Sequence, residues 1–83
     1  MRLLYFAWVK DKVGTAAEEI ELPERVATVA ELIDWLKTRG PEFENAFVQA
    51  DAVRAAIDQI HVRHHAKIMG AREIAFFPPV TGG

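Results

Sequence analysis

The chain has 83 residues, is 51% hydrophobic and 27% charged, carries a net charge of −2 and contains no cysteine. This is globular composition for one small domain, which buries only about 60% of the surface its unfolded chain exposes, so its core must be well used. The charge argues against general nucleic-acid binding, which rests on clustered Lys and Arg, and the missing cysteines exclude disulfides, thiolate nucleophiles and Cys-type zinc sites.

No apolar run approaches 18 residues and no signal-peptide pattern opens the chain, so no membrane span is expected and a cytoplasmic location is. Charge is unevenly divided. Residues 1–53 carry 6 basic and 10 acidic groups, whereas residues 54–83 carry 4 basic and 2 acidic. The basic end reads as solvated surface with some capacity to steer a partner.

The opening "RLLYFAWV", Arg2 to Val9, is rich in aromatic and aliphatic residues and reads as a strand. Leu3, Tyr5, Ala7 and Val9 fall on one face, and Leu4, Phe6 and Trp8 on the other. "KDKVGTAA" reads as a turn, with Gly14 in the bend. "EEIEL" follows as a second, half-buried strand, in which Ile20 and Leu22 alternate with glutamates. The closeness of the two strands predicts a hairpin.

"TVAELIDWLKTRG" is the clearest helix. Thr28 and Glu31 form a capping box, and Val29, Leu32, Ile33 and Leu36 make one apolar stripe. Trp35 flanks that stripe and shields its edge. Lys37 and Arg39 suit the negative end of the helix dipole, and Gly40-Pro41 stops the helix. "PEFENAF" predicts one short helical turn with Phe43 and Phe47 on one side. Val53, Ala55 and Ile57, then Ile60 and Val62, read as a third strand and its continuation. "REIAFF" is the last strand, with Ile74 and Phe76 facing one way and Glu73, Ala75 and Phe77 the other.

The expected fold is therefore α+β, a mixed sheet with one main helix packed on one face. If that helix covers Leu3, Tyr5, Ile74 and Phe76, then Leu4, Phe6, Trp8 and Phe77 lie uncovered. An apolar patch of that kind on a small protein marks a protein interface. The competing reading is that residues 41–50 fold over part of it.

Side-chain chemistry offers little else. His61, His64 and His65 sit together in "HVRHHAK", but zinc needs three or four converging ligands, so an exposed loop is expected and no metal site. Serine is absent, and there is neither a nucleophile elbow nor a phosphate loop. No side-chain catalysis is expected.

The ending "EIAFFPPVTGG" changes the reading. Joined to the "VGT" turn, the capped helix and "AAIDQIHV", it resembles the small subunit of molybdopterin synthase, a family of ubiquitin-like sulfur carriers with the β-grasp fold. The resemblance implies a β-grasp domain over residues 1–77 and a flexible tail over 78–83. It further implies that a ubiquitin-activating-like adenylyltransferase uses ATP to adenylate the carboxylate of Gly83, which becomes a thiocarboxylate. Docked in the large synthase subunit, the thiocarboxylate would donate sulfur to cyclic pyranopterin monophosphate, forming the molybdopterin dithiolene. The assembled synthase would be a heterotetramer of two small and two large subunits, with no cofactor bound by this chain alone.

In that scheme Pro78, Pro79, Val80, Thr81, Gly82 and Gly83 enter the partner's active site. Two prolines favour an extended course, and glycines lack the Cβ that would obstruct a narrow channel. Phe6 and Phe77 match apolar family positions at the large-subunit interface, with Leu4 beside them. Two departures stand out. "GARE", Gly70 to Glu73, replaces an acidic turn and puts the positive Arg72 there, and Trp8 is bulkier than the polar residue expected. The alternatives are a carrier for another pathway, such as the thiamine-thiazole one, a ubiquitin-like modifier, or a plain interaction module whose tail frays.

Overall fold

The computed structural model describes residues 1–79. Five strands form one mixed sheet: β1 (Arg2–Tyr5), β2 (Ala17–Glu19), β3 (Arg54–Ile57), β4 (Ile60–Val62) and β5 (Glu73–Phe77), in the order β2-β1-β5-β3-β4. The central pair β1 and β5 is parallel, and every other pairing is antiparallel. Helices α1 (Ala7–Val13), α2 (Val29–Lys37) and α3 (Pro41–Ala46) supply much of the remaining core, the loop residues Val26, Phe47, Val53 and Ile68 complete it, and a short 3-10 turn covers Ala50–Ala52. This is the β-grasp arrangement of the ubiquitin-like proteins.

The anticipated first strand is half strand and half helix. β1 ends at Tyr5; the chain turns through Ala7, whose φ of 53° is left-handed, and enters α1. Val9 and Val13 stand one helical turn apart in α1 and both turn into the core. Gly14 closes α1 at φ 95°, donating its N–H to the Lys10 carbonyl at 2.8 Å. The second strand also sits earlier than expected, over Ala17–Glu19, with one last rung from Ile20 N–H to the Met1 carbonyl. Ile20 and Leu22 still pack at the core margin.

α2 forms as its pattern demands. Thr28 Oγ1 accepts from Glu31 N–H at 3.2 Å, and Glu31 Oε1 accepts from Ala27 N–H at 3.1 Å. Two more free N–H groups of the first turn, on Val29 and Ala30, donate to the carbonyls of Ala66 and His64. Its stripe of Val29, Leu32, Ile33 and Leu36 is buried against Leu3, Tyr5, Ile74 and Phe76. α3 closes the same side: Phe47 meets Phe76 edge-on at 5.2 Å between ring centroids, and Phe43 meets Tyr5 at 6.4 Å. The segment that might have folded over the opposite face therefore completes the core instead.

Tyr5 brings one polar group into this core and its hydroxyl donates to Glu18 Oε2 at 2.7 Å. Glu18 in turn receives two bonds from the Arg39 guanidinium, at 2.9 and 3.0 Å, tying the edge strand β2 to the end of α2. Arg39 lies 4.6 Å over the Phe43 ring. Burial, then the bond to Glu18, push the Tyr5 phenol well up. Burial pushes the Glu18 carboxyl up too, but the bonds from Arg39 and Tyr5 outweigh it and hold the group below its ordinary value.

The third strand and its continuation are in fact a hairpin. Asp58 and Gln59 both adopt left-handed backbone, at φ 48° and 73°, and fold β4 back on β3. Such a two-residue turn matches the twist of the flanking strands. Asp58 Oδ1 also accepts from the N–H groups of Arg72 and Glu73, both at 3.0 Å, which pins the "GARE" turn to the hairpin.

Candidate functional site

The site is the sheet face that no helix covers. Register puts Leu4 beside Ala75, Ala75 beside Ala56 and Ala56 beside His61, so one row of side chains crosses β1, β5, β3 and β4. Small residues occupy the two central positions, and the row dips there. Together with Phe6 and Phe77 these residues line an open hollow of about 510 Å³. Phe6 is 48% exposed, the clearest sign that the patch is unpartnered in the monomer.

Leu4, Phe6 and Phe77 are thus brought together as expected. Trp8 is not: it belongs to α1, beyond the strand's end, and its half-buried ring packs against the core. The physical reason is the turn at Ala7, which takes Trp8 off the alternation of β1. Sequence reasoning missed His61, whose ring lies 5.0 Å from that of Phe77. The signal was the Asp58-Gln59 turn, since a hairpin folded there places His61 opposite Ala56.

The other histidines diverge. His64 Nε2 lies 2.8 Å from the Val53 carbonyl, and His65 is exposed. Among the described residues no group of three His, Asp or Glu side chains is placed to hold a metal ion. Nor is any described helix long and apolar enough to cross a membrane.

Pro78 and Pro79 leave β5 directly beside the patch, both half-buried. Val80, Thr81, Gly82 and Gly83, the rest of the anticipated tail, lie outside the described residues. The arrangement presents an exposed apolar face whose last strand leads directly into Pro78 and Pro79. Its aromatic residues can be desolvated by a partner, while among the described residues no nucleophile and base stand together on it.

Comparison with known proteins agrees with this architecture. The chain is 31% identical over 83 residues to the molybdopterin synthase sulfur carrier subunit of Haemophilus influenzae, and 32% identical over 83 residues to that of Escherichia coli. Each alignment covers 100% of this chain and 99% of the relative. Among solved structures, a proposed molybdopterin converting factor, subunit 1, from Pyrococcus furiosus superposes with a TM-score of 0.73 at 30% identity, over 95% of both chains. SAMP1 from Haloferax volcanii superposes with a TM-score of 0.74 over 100% of this chain and 98% of its own; at 23% identity it speaks to the fold alone. The family model described as the ThiS family matches residues 3–83. On that match and on these full-length relatives, the chain belongs to the ThiS family.

Proposed function

We propose that this chain is the sulfur carrier subunit of a molybdopterin synthase. The observation that carries the reading is the full-length similarity to two carrier subunits of that name, joined to an exposed apolar face that runs directly into the tail. In this reading Leu4, Phe6 and Phe77 seat the large subunit, and residues 78–83 thread into its active site. The assembly holds two carriers and two large subunits and works in the cytoplasm.

The chemistry falls to the Gly83 carboxylate. A carboxylate is a poor acyl donor. An adenylyltransferase partner joins it to AMP from ATP, releasing pyrophosphate, and a sulfide-class nucleophile then displaces AMP to leave a thiocarboxylate. The thiocarboxylate sulfur attacks an electrophilic carbon of the pterin precursor and displaces an oxygen substituent there; water then hydrolyses the resulting thioester, leaving the sulfur on the pterin and the glycine as a carboxylate ready for another round. With no cysteine in the chain, the terminus is its evident covalent handle for sulfur.

Intact-mass measurement after incubation with the adenylyltransferase, ATP and a sulfur donor tests this reading. One oxygen exchanged for sulfur at Gly83 is the expected result, and an unchanged mass with a competent activator would sink it. Deleting Gly83 should abolish the exchange and leave the melting temperature unchanged, since among the described residues the core ones all precede Pro78. Mixing the thiocarboxylated chain with the large subunit and pterin precursor should yield the dithiolene. A stable thiocarboxylate that yields none would assign the carrier to another pathway.

A further inference from the structure

A second hollow, of about 680 Å³, opens at the root of the tail and has no part in the chemistry above. Arg54, Arg63, His61, His64, Phe77 and Pro79 line it, with Asp51 its one acidic neighbour. Arg54 starts β3 and lies opposite Phe77 in the ladder, while Arg63 follows β4 directly. Both arginines are exposed, and among the described residues neither forms an ion pair, whereas Arg2 and Arg39 are matched by Glu73 and Glu18.

Unpaired surface cations are common, so what matters is where these converge. Residues 1–53 carry an excess of acidic groups, yet Arg54 and Arg63 stand at the end of the sheet where β5 gives way to Pro78 and Pro79. We infer that this hollow receives an acidic segment of the same protein partner that takes the tail, an inference that rests on the carrier reading above. Three features favour that occupant. Phe77 and His61 line both hollows, so a partner seated on the apolar face reaches Arg54 without a gap. Pro79 forms part of the rim, so the hollow adjoins the start of the tail. Its lining is open and made of long surface side chains, which suits extended Asp and Glu side chains meeting guanidinium forks better than an enclosed small anion. The local positive field would also orient an acidic partner before contact.

The test measures association with the large subunit at low and high salt, using Arg54→Glu/Arg63→Glu, the milder Arg54→Gln/Arg63→Gln and, as a control, Phe6→Asp. The reversed pair should associate about tenfold more slowly at low salt, the neutral pair less so, with both deficits shrinking as salt rises and melting unchanged. Wild-type kinetics in both arginine variants, with binding still weakened by Phe6→Asp, would overturn this inference and leave the carrier reading standing. Unchanged binding in all three variants would remove the docking face as well. In a parallel titration followed by amide resonances, a Glu-rich peptide should shift residues 54, 61, 63 and 64 saturably, and the reversed pair should abolish the shifts. Equal displacement of the peptide by inorganic phosphate, or concentration-dependent self-association through the same residues, would also overturn the inference.

Discussion

Alternate residues of the same strands build two opposite surfaces in this molecule. On one, Leu3, Tyr5, Ile74 and Phe76 are each at most 1% exposed beneath three helices. On the other, Leu4, Ala75 and Phe77 are only half-buried and Phe6 stands out. The two surfaces draw on similar residue types, so hydrophobicity by itself does not distinguish core from open face. What distinguishes them is which side the helices occupy, and that follows from the connections: α1, α2 and α3 all pack on one side of the sheet.

The neighbours Phe76 and Phe77 test this comparison most severely. Phe76→Ala should cost about 3–5 kcal/mol, most of what a small domain has, whereas Phe77→Ala should cost less than about 1 kcal/mol. Chemical denaturation measures both, and equal losses would mean that the second face is also core. Phe6→Asp comes next: binding of the large subunit should fall at least about tenfold with melting nearly unchanged, because a charge would have to be desolvated at the centre of the interface. Isothermal titration reads that loss, and wild-type affinity would end the docking assignment.

A smaller effect sharpens the covered side. Glu18 is held below its ordinary value, so the folded chain binds fewer protons there than the unfolded chain. Its contribution is complete above the ordinary carboxylate range and is lost as pH falls through its folded value. Tyr5 acts at the opposite end. Its phenol is pushed up, so above about pH 10 the unfolded chain releases that proton first and stability declines. Glu18→Gln should cost about 1–2 kcal/mol at neutral pH and flatten the acid limb, while Tyr5→Phe should remove the alkaline decline. Melting curves across pH measure both, and an acid limb that survives Glu18→Gln would place its origin elsewhere. The smallest change concerns the hairpin that brings His61 to the open face. Gln59 sits at φ 73°, and Gln59→Gly should stabilise the fold by about 0.5 kcal/mol, a rise of a few degrees in melting temperature.

Several of these features were legible in the residues alone. Thr28, Glu31 and the stripe of α2 carry their own boundaries, because capping and helical period are local. The two faces of β5, and of β1 as far as Tyr5, follow from alternation. α1 was hidden because its first residues continue an aromatic run that also suits a strand; only the left-handed Ala7 separates the two, and nothing in an alanine announces that backbone. The β3–β4 hairpin was hidden because Asp-Gln lacks the glycine that usually marks such a turn. His61 and Arg54 were missed for a related reason: their position depends on pairing register, which involves residues distant in the chain.

By itself, then, the sequence determined the main helix, the inward residues of the central strands, the absence of cysteine chemistry and the resemblance carried by its last residues. These depend on local spacing and composition. Tertiary structure alone decided that the chain turns at Ala7, that α3 completes the core rather than covering the open face, and that His61 and the two arginines gather beside Phe77 and Pro79. Those outcomes depend on burial and strand pairing between distant segments, where a poor local conformation at Ala7 or Gln59 is outweighed by what it allows the rest of the chain to bury.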